Sequence, residues 1–271
     1  MEAINQVERA SRAWPVLIDV ARRQDKISYG DLGKALGIHH RTVRFVLGVI
    51  QSYCLEARLP PLTILVINQS GRPGNGFIAC DMNHLDRGYA EVWGYDWSKE
   101  KNPFGFANDG TSFPQLIKTL TQDPNSSGDV YTKVKSRGIQ QLLFREALLK
   151  AYGYQCAFTG LSFPEALEAC HIVPWSASSD AECMDIRNGV LLNSFHHRLF
   201  DNGLITFTEN FKIWFRDPKE QDGHYTRMDS ALTSKLHGKS MHVPFLKRQR
   251  PLDEYIQRHH EAGEWKIKTR I

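Results

Sequence analysis

Apolar positions along the chain fall into helical spacings in some stretches and short β-branched runs in others. In SRAWPVLIDVARRQ, residues 11–24, the spacing predicts a helix. A further helix over ISYGDLGKALG, a turn at Gly37 and another helix over HHRTVRFVLGVIQSYC follow. Ser28 and Tyr29 precede Asp31 as a helix start, while Val43, Val46, Leu47 and Ile50 form one apolar stripe. LTILVIN, residues 62–68, is a run of buried-strand type, and SGRPGNGF after it is a turn-rich loop. Two helices across a glycine turn with a strand behind them predict a winged-helix-like module.

The rhythm breaks at TQDPNSSGD, residues 121–129, where turn and linker residues cluster without apolar periodicity. A boundary near residue 125 divides a winged-helix-like domain, 1–125, from a second domain, 126–271. The second opens on a helix whose stripe is Leu142, Leu143, Ala147, Leu148 and Tyr152. LEACHIVPW is then an apolar strand ending in a histidine and stopped by a proline. The loop SASSDAECMDIRN leads to a short second strand, GVLL. SFHHRLF is a helical turn or more, and DNG turns the chain into LITF, with NFKIWFRD as its pairing strand. SALTSKLHGK reads as a helix, and RPLDEYIQRHHEAGEW packs against the second domain. The fold class is therefore α+β.

Composition adds bounds. Hydrophobic residues make up 41% and charged residues 24%, a globular balance that excludes a disordered or fibrous chain. No apolar run is long enough to span a bilayer, so no membrane partner is expected. The start, MEAINQVERASRAW, lacks an apolar signal-peptide core. Five scattered cysteines with no Cys-x-x-Cys pair argue against a disulfide scaffold and for a reducing, cytoplasmic setting. The net charge of +4 is uneven: residues 1–130 hold 14 basic and 14 acidic groups, residues 131–271 hold 20 and 16. A mild basic excess suits a polyanion.

The candidate chemistry lies in residues 154–207, where strand, loop, strand and helix bring His171, Asn188 and His197 together. Asn188 and His197 are nine residues apart. With the flanking pieces Phe144 to Gly153, Cys156 to Gly160, Leu167 to Ile172, Asn188 to Leu192 and His197 to Ile205, this stretch resembles the HNH nuclease family, and within it a subgroup of bacterial restriction nucleases. The resemblance covers about residues 137–207, with the nuclease core at about 150–207. It implies a ββα-metal fold and a metal-dependent endonuclease that hydrolyses DNA phosphodiesters in restriction or antiviral defence.

By that resemblance His171 is the general base, Asn188 ties down the loop and orients its imidazole, and His197 is a metal ligand on the helix. A neutral imidazole suits proton abstraction near neutral pH, and one divalent cation can stabilise charge and assist the leaving oxygen. Mg²⁺ or Mn²⁺ is expected, with Zn²⁺ or Ni²⁺ as alternatives. Asp201, four residues after His197, either shares the ion or caps the turn into Gly203. Many family members have Asp where this chain has Cys170, a residue that either binds a thiophilic cation or only packs. Glu168 points away from His171 by strand alternation. Cys156 is expected to fill the core and His196 to stand exposed. Arg145 and Arg198 are the preferred phosphate contacts among the basic residues flanking the site.

In the first domain, His39, His40, Arg41 and Arg44 line the second helix of the pair, where a recognition helix meets DNA; Arg41 and Arg44 are the candidate contacts. This half also faintly resembles the winged-helix part of alkylguanine-DNA alkyltransferase-like proteins, without that family's Pro-Cys-His-Arg centre. Alternatives remain: a DNA-binding regulator with a degenerate HNH fold, or a ligand-gated nuclease effector. A homodimer would suit cutting of two antiparallel strands, though no heptad marks an interface.

Overall fold

Several helix starts in the computed structural model have a local cause in sequence. The structure describes residues 5–265. Asn5 opens α1 (Gln6–Arg22), its side-chain oxygen accepting from the Val7 and Glu8 amides. Ser28 does the same for α2 (Tyr29–Leu36), accepting from Asp31, just after the two-residue strand β1 (Ile27–Ser28). Gly37 ends α2 at φ 66°, a left-handed conformation that costs glycine nothing. A short 3₁₀ turn over His40–Thr42 then leads into α3 (Val43–Glu56).

The predicted helix–turn–helix is thus present, but the strand expected behind it is mostly absent. Leu62–Leu65 forms a 3₁₀ turn and only Val66–Ile67 is extended, as β2, pairing parallel with β1. The Pro60–Pro61 pair explains the difference. Proline fixes φ in the turn range, and the Ile64 amide donates back to the Pro61 carbonyl before the chain can extend. All four residues of the 3₁₀ turn are buried.

Next come α4 (Leu85–Gly94), α5 (Phe113–Gln122) and α6 (Ser127–Lys133). The stretch expected to be an irregular linker therefore begins at the end of α5, passes through a 3₁₀ turn at Pro124–Ser126 and enters α6. Ser127 and Val130 of α6 are buried, which a reading of turn-forming residues alone could not foresee. Helix α7 (Arg137–Ala151) follows; of its predicted stripe, Leu143, Ala147 and Leu148, with Tyr152 just beyond, are buried.

Two compact units result. One holds the described residues through Leu116 together with Lys133–Leu142; the other holds Ile117–Thr132 and the described residues from Leu143 onward. The first is mostly helical. Trp14 sits at its centre, edge-on to Tyr53, Trp97 and Phe104.

The second unit carries an antiparallel hairpin, β3 (Leu167–His171) and β4 (Gly189–Asn193), with His171 opposite Gly189 and Cys170 opposite Val190. Asn193 caps α8 (Ser194–Asp201) by accepting from the His196 amide. A second hairpin pairs β5 (Ile205–Phe207) with β6 (Ile213–Phe215), as LITF and NFKIWFRD predicted. The helix expected over SALTSKLHGK begins earlier, as α9 (Arg227–Leu232), because Thr226 and Asp229 form a capping box there. Last is α10 (Asp253–Ala262). Among the described residues no helix is long and apolar enough to cross a membrane.

Candidate metal centre and active site

Strand β3 presents two faces, because successive side chains of a strand point to opposite sides. Glu168 and Cys170 lie on one, toward α8. His171 lies on the other, toward α7.

On the α8 face, ligand atoms of Cys170, His197 and Asp201 all lie within 4.8 Å of one another. The Cys170 thiol donates to Asp201 Oδ1 at 3.7 Å, and His197 Nε2 lies 3.4 Å from Asp201 Oδ2. Helical geometry brings His197 and Asp201 together, since residues four apart share a face. His197 Nδ1 meets Glu168 Oε2. A carboxylate cannot donate, so Nδ1 carries a proton, and Nε2 is the ring nitrogen left to meet a cation beside Asp201. Such a carboxylate–imidazole pair sets the orientation and tautomer of a metal-binding histidine.

The donor set fits a divalent cation. Ligands about 2.1–2.3 Å from a tetrahedral centre stand roughly 3.5 Å apart, close to the spacings here. Burial raises the Cys170 thiol well above its ordinary value, and the neighbouring Asp201 carboxylate adds to the effect. Without a cation the thiol keeps its proton; a cation at this point reverses that balance. Burial also opposes charge on Glu168. Hydrogen bonds from His197 and Ser194, with Arg145 nearby, outweigh it and hold the carboxyl below its usual value.

Glu168 was the group sequence reading left aside. Its two-residue spacing from Cys170 was the available signal, since it puts both on one face of the strand.

On the α7 face the His171 ring stacks on Phe144, with centroids 4.0 Å apart and planes 7° apart, and stands edge-on to Trp175. Its Nε2 is 3.1 Å from the Cys183 carbonyl. A carbonyl only accepts, so Nε2 bears the hydrogen and the basic lone pair belongs to Nδ1. Opposite, a Cβ on Gly189 would come within 2.7 Å of Phe144 and 2.6 Å of Leu148. Glycine is needed there for close approach, which keeps Phe144 beneath the imidazole.

Asn188 is fully buried. Its Oδ1 accepts from the Val173 amide at 2.8 Å, and its Nδ2 reaches the Val173 carbonyl, Ser178 Oγ and the Glu182 carbonyl. These bonds tie both ends of the 173–182 loop to the start of β4. The imidazole itself is placed by Cys183, Phe144 and Trp175.

Helix α10 holds the same loop from outside. Arg258 pairs with Glu182 at 2.6 Å and donates to the Ala177 carbonyl, Tyr255 donates to Asp185, and His259 Nδ1 donates to the Ile172 carbonyl. Two histidines assigned nothing from sequence, His259 and His260, thus bind the backbone just after β3 and at the end of β5.

His196 departs from expectation. It is fully buried, not exposed, with Nε2 on the Leu232 carbonyl and Nδ1 on Asn193. Cys156 is buried, as expected, and its sulfur accepts from the Asn193 amide. Among the basic candidates, Arg198 is exposed, while Arg145 donates to the Pro164 carbonyl and keeps a buried Nη1 without a hydrogen-bond partner among the described residues. In the N-terminal unit, Arg41 and Arg44 are exposed, the latter with its guanidinium over Phe45.

The family model described as HNH endonuclease matches residues 156–208, a span that includes β3, the loop, β4, α8 and the turn into β5. Those residues form an HNH endonuclease domain. No curated protein matches the chain.

Proposed function

We propose that the protein is a metal-dependent DNA endonuclease, acting in restriction or antiviral defence in the cytoplasm. The observation that carries this reading is the convergence of Cys170, His197 and Asp201 on one face of β3; His171 stands at the end of the same strand with its ring on the opposite face, against Phe144.

His171 is the general base: its Nδ1 lone pair takes the proton of the attacking water, while Nε2 stays on the Cys183 carbonyl. Cys170, His197 and Asp201 would hold a divalent cation, with Glu168 fixing the His197 ring through Nδ1 so that Nε2 would be its ligand atom. When bound, the cation supplies charge stabilisation for the phosphodiester and its leaving oxygen. A sulfur in the set favours Zn²⁺ or Ni²⁺ over Mg²⁺ and Mn²⁺, which prefer oxygen ligands. Asn188 supports the loop. The exposed Arg198 suits backbone phosphates, as Arg41 and Arg44 on the winged-helix-like N-terminal unit suit docking on the duplex; Arg145, with its Nη1 buried and Nη2 on the Pro164 carbonyl, supports the site from within.

The test is DNA cutting by the purified protein with each of Mg²⁺, Mn²⁺, Zn²⁺ and Ni²⁺, beside His171→Ala. Cutting by the wild type that the variant loses, with an unchanged melting temperature, supports the assignment. Equal cutting by both removes His171 from the mechanism.

A second reading, a ligand-gated nuclease, draws on one feature of the N-terminal unit. A cavity of about 1140 Å³ is lined there by Tyr29, His40, Arg41, Arg44, Gln51 and Asn68. Cutting that appears only with metabolite extract, and fails to appear in Arg41→Ala, would favour it.

A further inference from the structure

Residues 242–250 form a loop that is firmly held at both ends and bare at its tip. At the entry, the His242 amide donates to Ala157 O at 2.7 Å and its Nε2 reaches Tyr152 O. At the exit, Gln249 is buried and donates to Thr121 O at 2.7 Å, while Arg250 Nε closes the loop onto Pro244 O. Between these anchors Phe245 is 91% exposed, far above the other large apolar residues of the described chain, with Leu246 beside it. Lys247 and Arg248 follow directly and are also exposed. Among the described residues neither forms an ion pair.

An aromatic ring kept in water on an anchored tip is a cost without a return in the isolated fold. One ring and one leucine offer too little area for a stable protein interface. An apolar wedge next to two cations is instead the chemistry that duplex DNA accepts: the ring enters a base step and unstacks it, and the cations hold the flanking phosphates. The tip also lies near the chemistry. The turn Lys247–Gln249 packs against Ile186–Asn188, the turn that leads into Gly189 opposite His171, and the Leu252 amide donates to Arg187 O.

We propose that Phe245 is a DNA wedge that unstacks a base step beside the nuclease site, with Lys247 and Arg248 as its phosphate clamps. This rests on the reading of the protein as acting on DNA, yet is separable from it, because unstacking is measured without cutting.

The experiment uses the full chain in EDTA with a short duplex carrying 2-aminopurine at several positions. Binding by the wild type raises 2-aminopurine fluorescence. Phe245→Ala abolishes that rise and weakens binding about tenfold, since stacking of one base on an aromatic side chain commonly contributes that much. Phe245→Trp restores both, and Lys247→Ala with Arg248→Ala lowers the salt dependence of binding by about two phosphate contacts. An unchanged fluorescence rise in Phe245→Ala, with melting temperature equal to wild type, overturns the proposal. So does a wild-type dimer that Phe245→Ala dissociates, which would make the tip a contact between copies. A protein that unstacks DNA in this way yet cuts nothing with any metal would defeat the nuclease reading and leave the wedge standing.

Discussion

The hairpin region of the second unit and the helix–turn–helix of the first treat their polar side chains in opposite ways. Around β3 and β4, apart from the exposed Asp201, the key polar groups are buried or half-buried and held by others: His197 by Glu168, Asn188 by four side-chain hydrogen bonds, His171 by Phe144 and Cys183. On the helix–turn–helix, His39, His40, Arg41 and Arg44 are exposed. The contrast follows from the tasks proposed for them. Proton transfer and metal binding need atoms held within fractions of an ångström, which takes packing on every side. Docking on a phosphate backbone needs only charges presented by a rigid element, because the field acts over several ångströms. The same substitution should therefore cost much in one region and little in the other.

The sharpest test of that contrast is His171→Ala. It should lower the rate of DNA cleavage about a thousandfold while leaving metal binding intact, as read by gel assay and calorimetry. His197→Ala should instead abolish metal binding. A His171→Ala protein that cuts normally would place the chemistry elsewhere.

Next in size is Asn188→Ala, which leaves the Val173 amide buried and unpaired and removes a bond from the part-buried Glu182 carbonyl. Urea unfolding should show a loss of about 3 kcal/mol. A loss below about 0.5 kcal/mol would mean the loop is not held there.

Acid should act mainly on the hairpin region as well. Burial, reinforced by repulsion from His260, lowers His259 from its ordinary value to about 4. A folded-state pKa below the unfolded one means that the unfolded chain binds the proton first. The contribution is thus complete above about pH 6.5 and lost as pH falls toward 4, on the order of 2 kcal/mol. His259→Phe should flatten stability over that window in chemical unfolding at stepped pH; an unaltered slope would refute the assignment.

Arg258→Ala removes the outer brace on the loop, its bonds to Glu182 and Ala177 O. The turnover number should fall about tenfold with little change in KM, and Arg258→Lys should recover part of it. Smallest of all, Arg41→Ala with Arg44→Ala should leave turnover alone and reduce the salt slope of DNA binding by about two.

Much of the frame was legible along the chain. Helix α1, the α2–Gly37–α3 turn, β3, β4, α8 and the β5–β6 hairpin all follow from apolar periodicity and local caps, effects that act within a few residues. His197 and Asp201 could be paired from helical spacing alone. Failures came where a local signal met a competing one. LTILVIN looks like a strand until Pro60 and Pro61 force its start into a turn. TQDPNSSGD looks like a linker although Ser127 and Val130 are buried in α6. His196 looks exposed beside His197, yet one step around α8 turns it into the core.

Sequence by itself determined which residues have the chemistry to act and which short elements carry them, because spacing and side-chain type are properties of neighbours in the chain. Only the tertiary structure decided that Cys170 faces Asp201 rather than merely filling space, that Glu168 supports His197, that Phe144 lies under His171, and that α10 braces the loop from more than 70 residues away. These contacts join segments distant in sequence. They depend on how the hairpin packs between α7 and α8, and no local pattern encodes that.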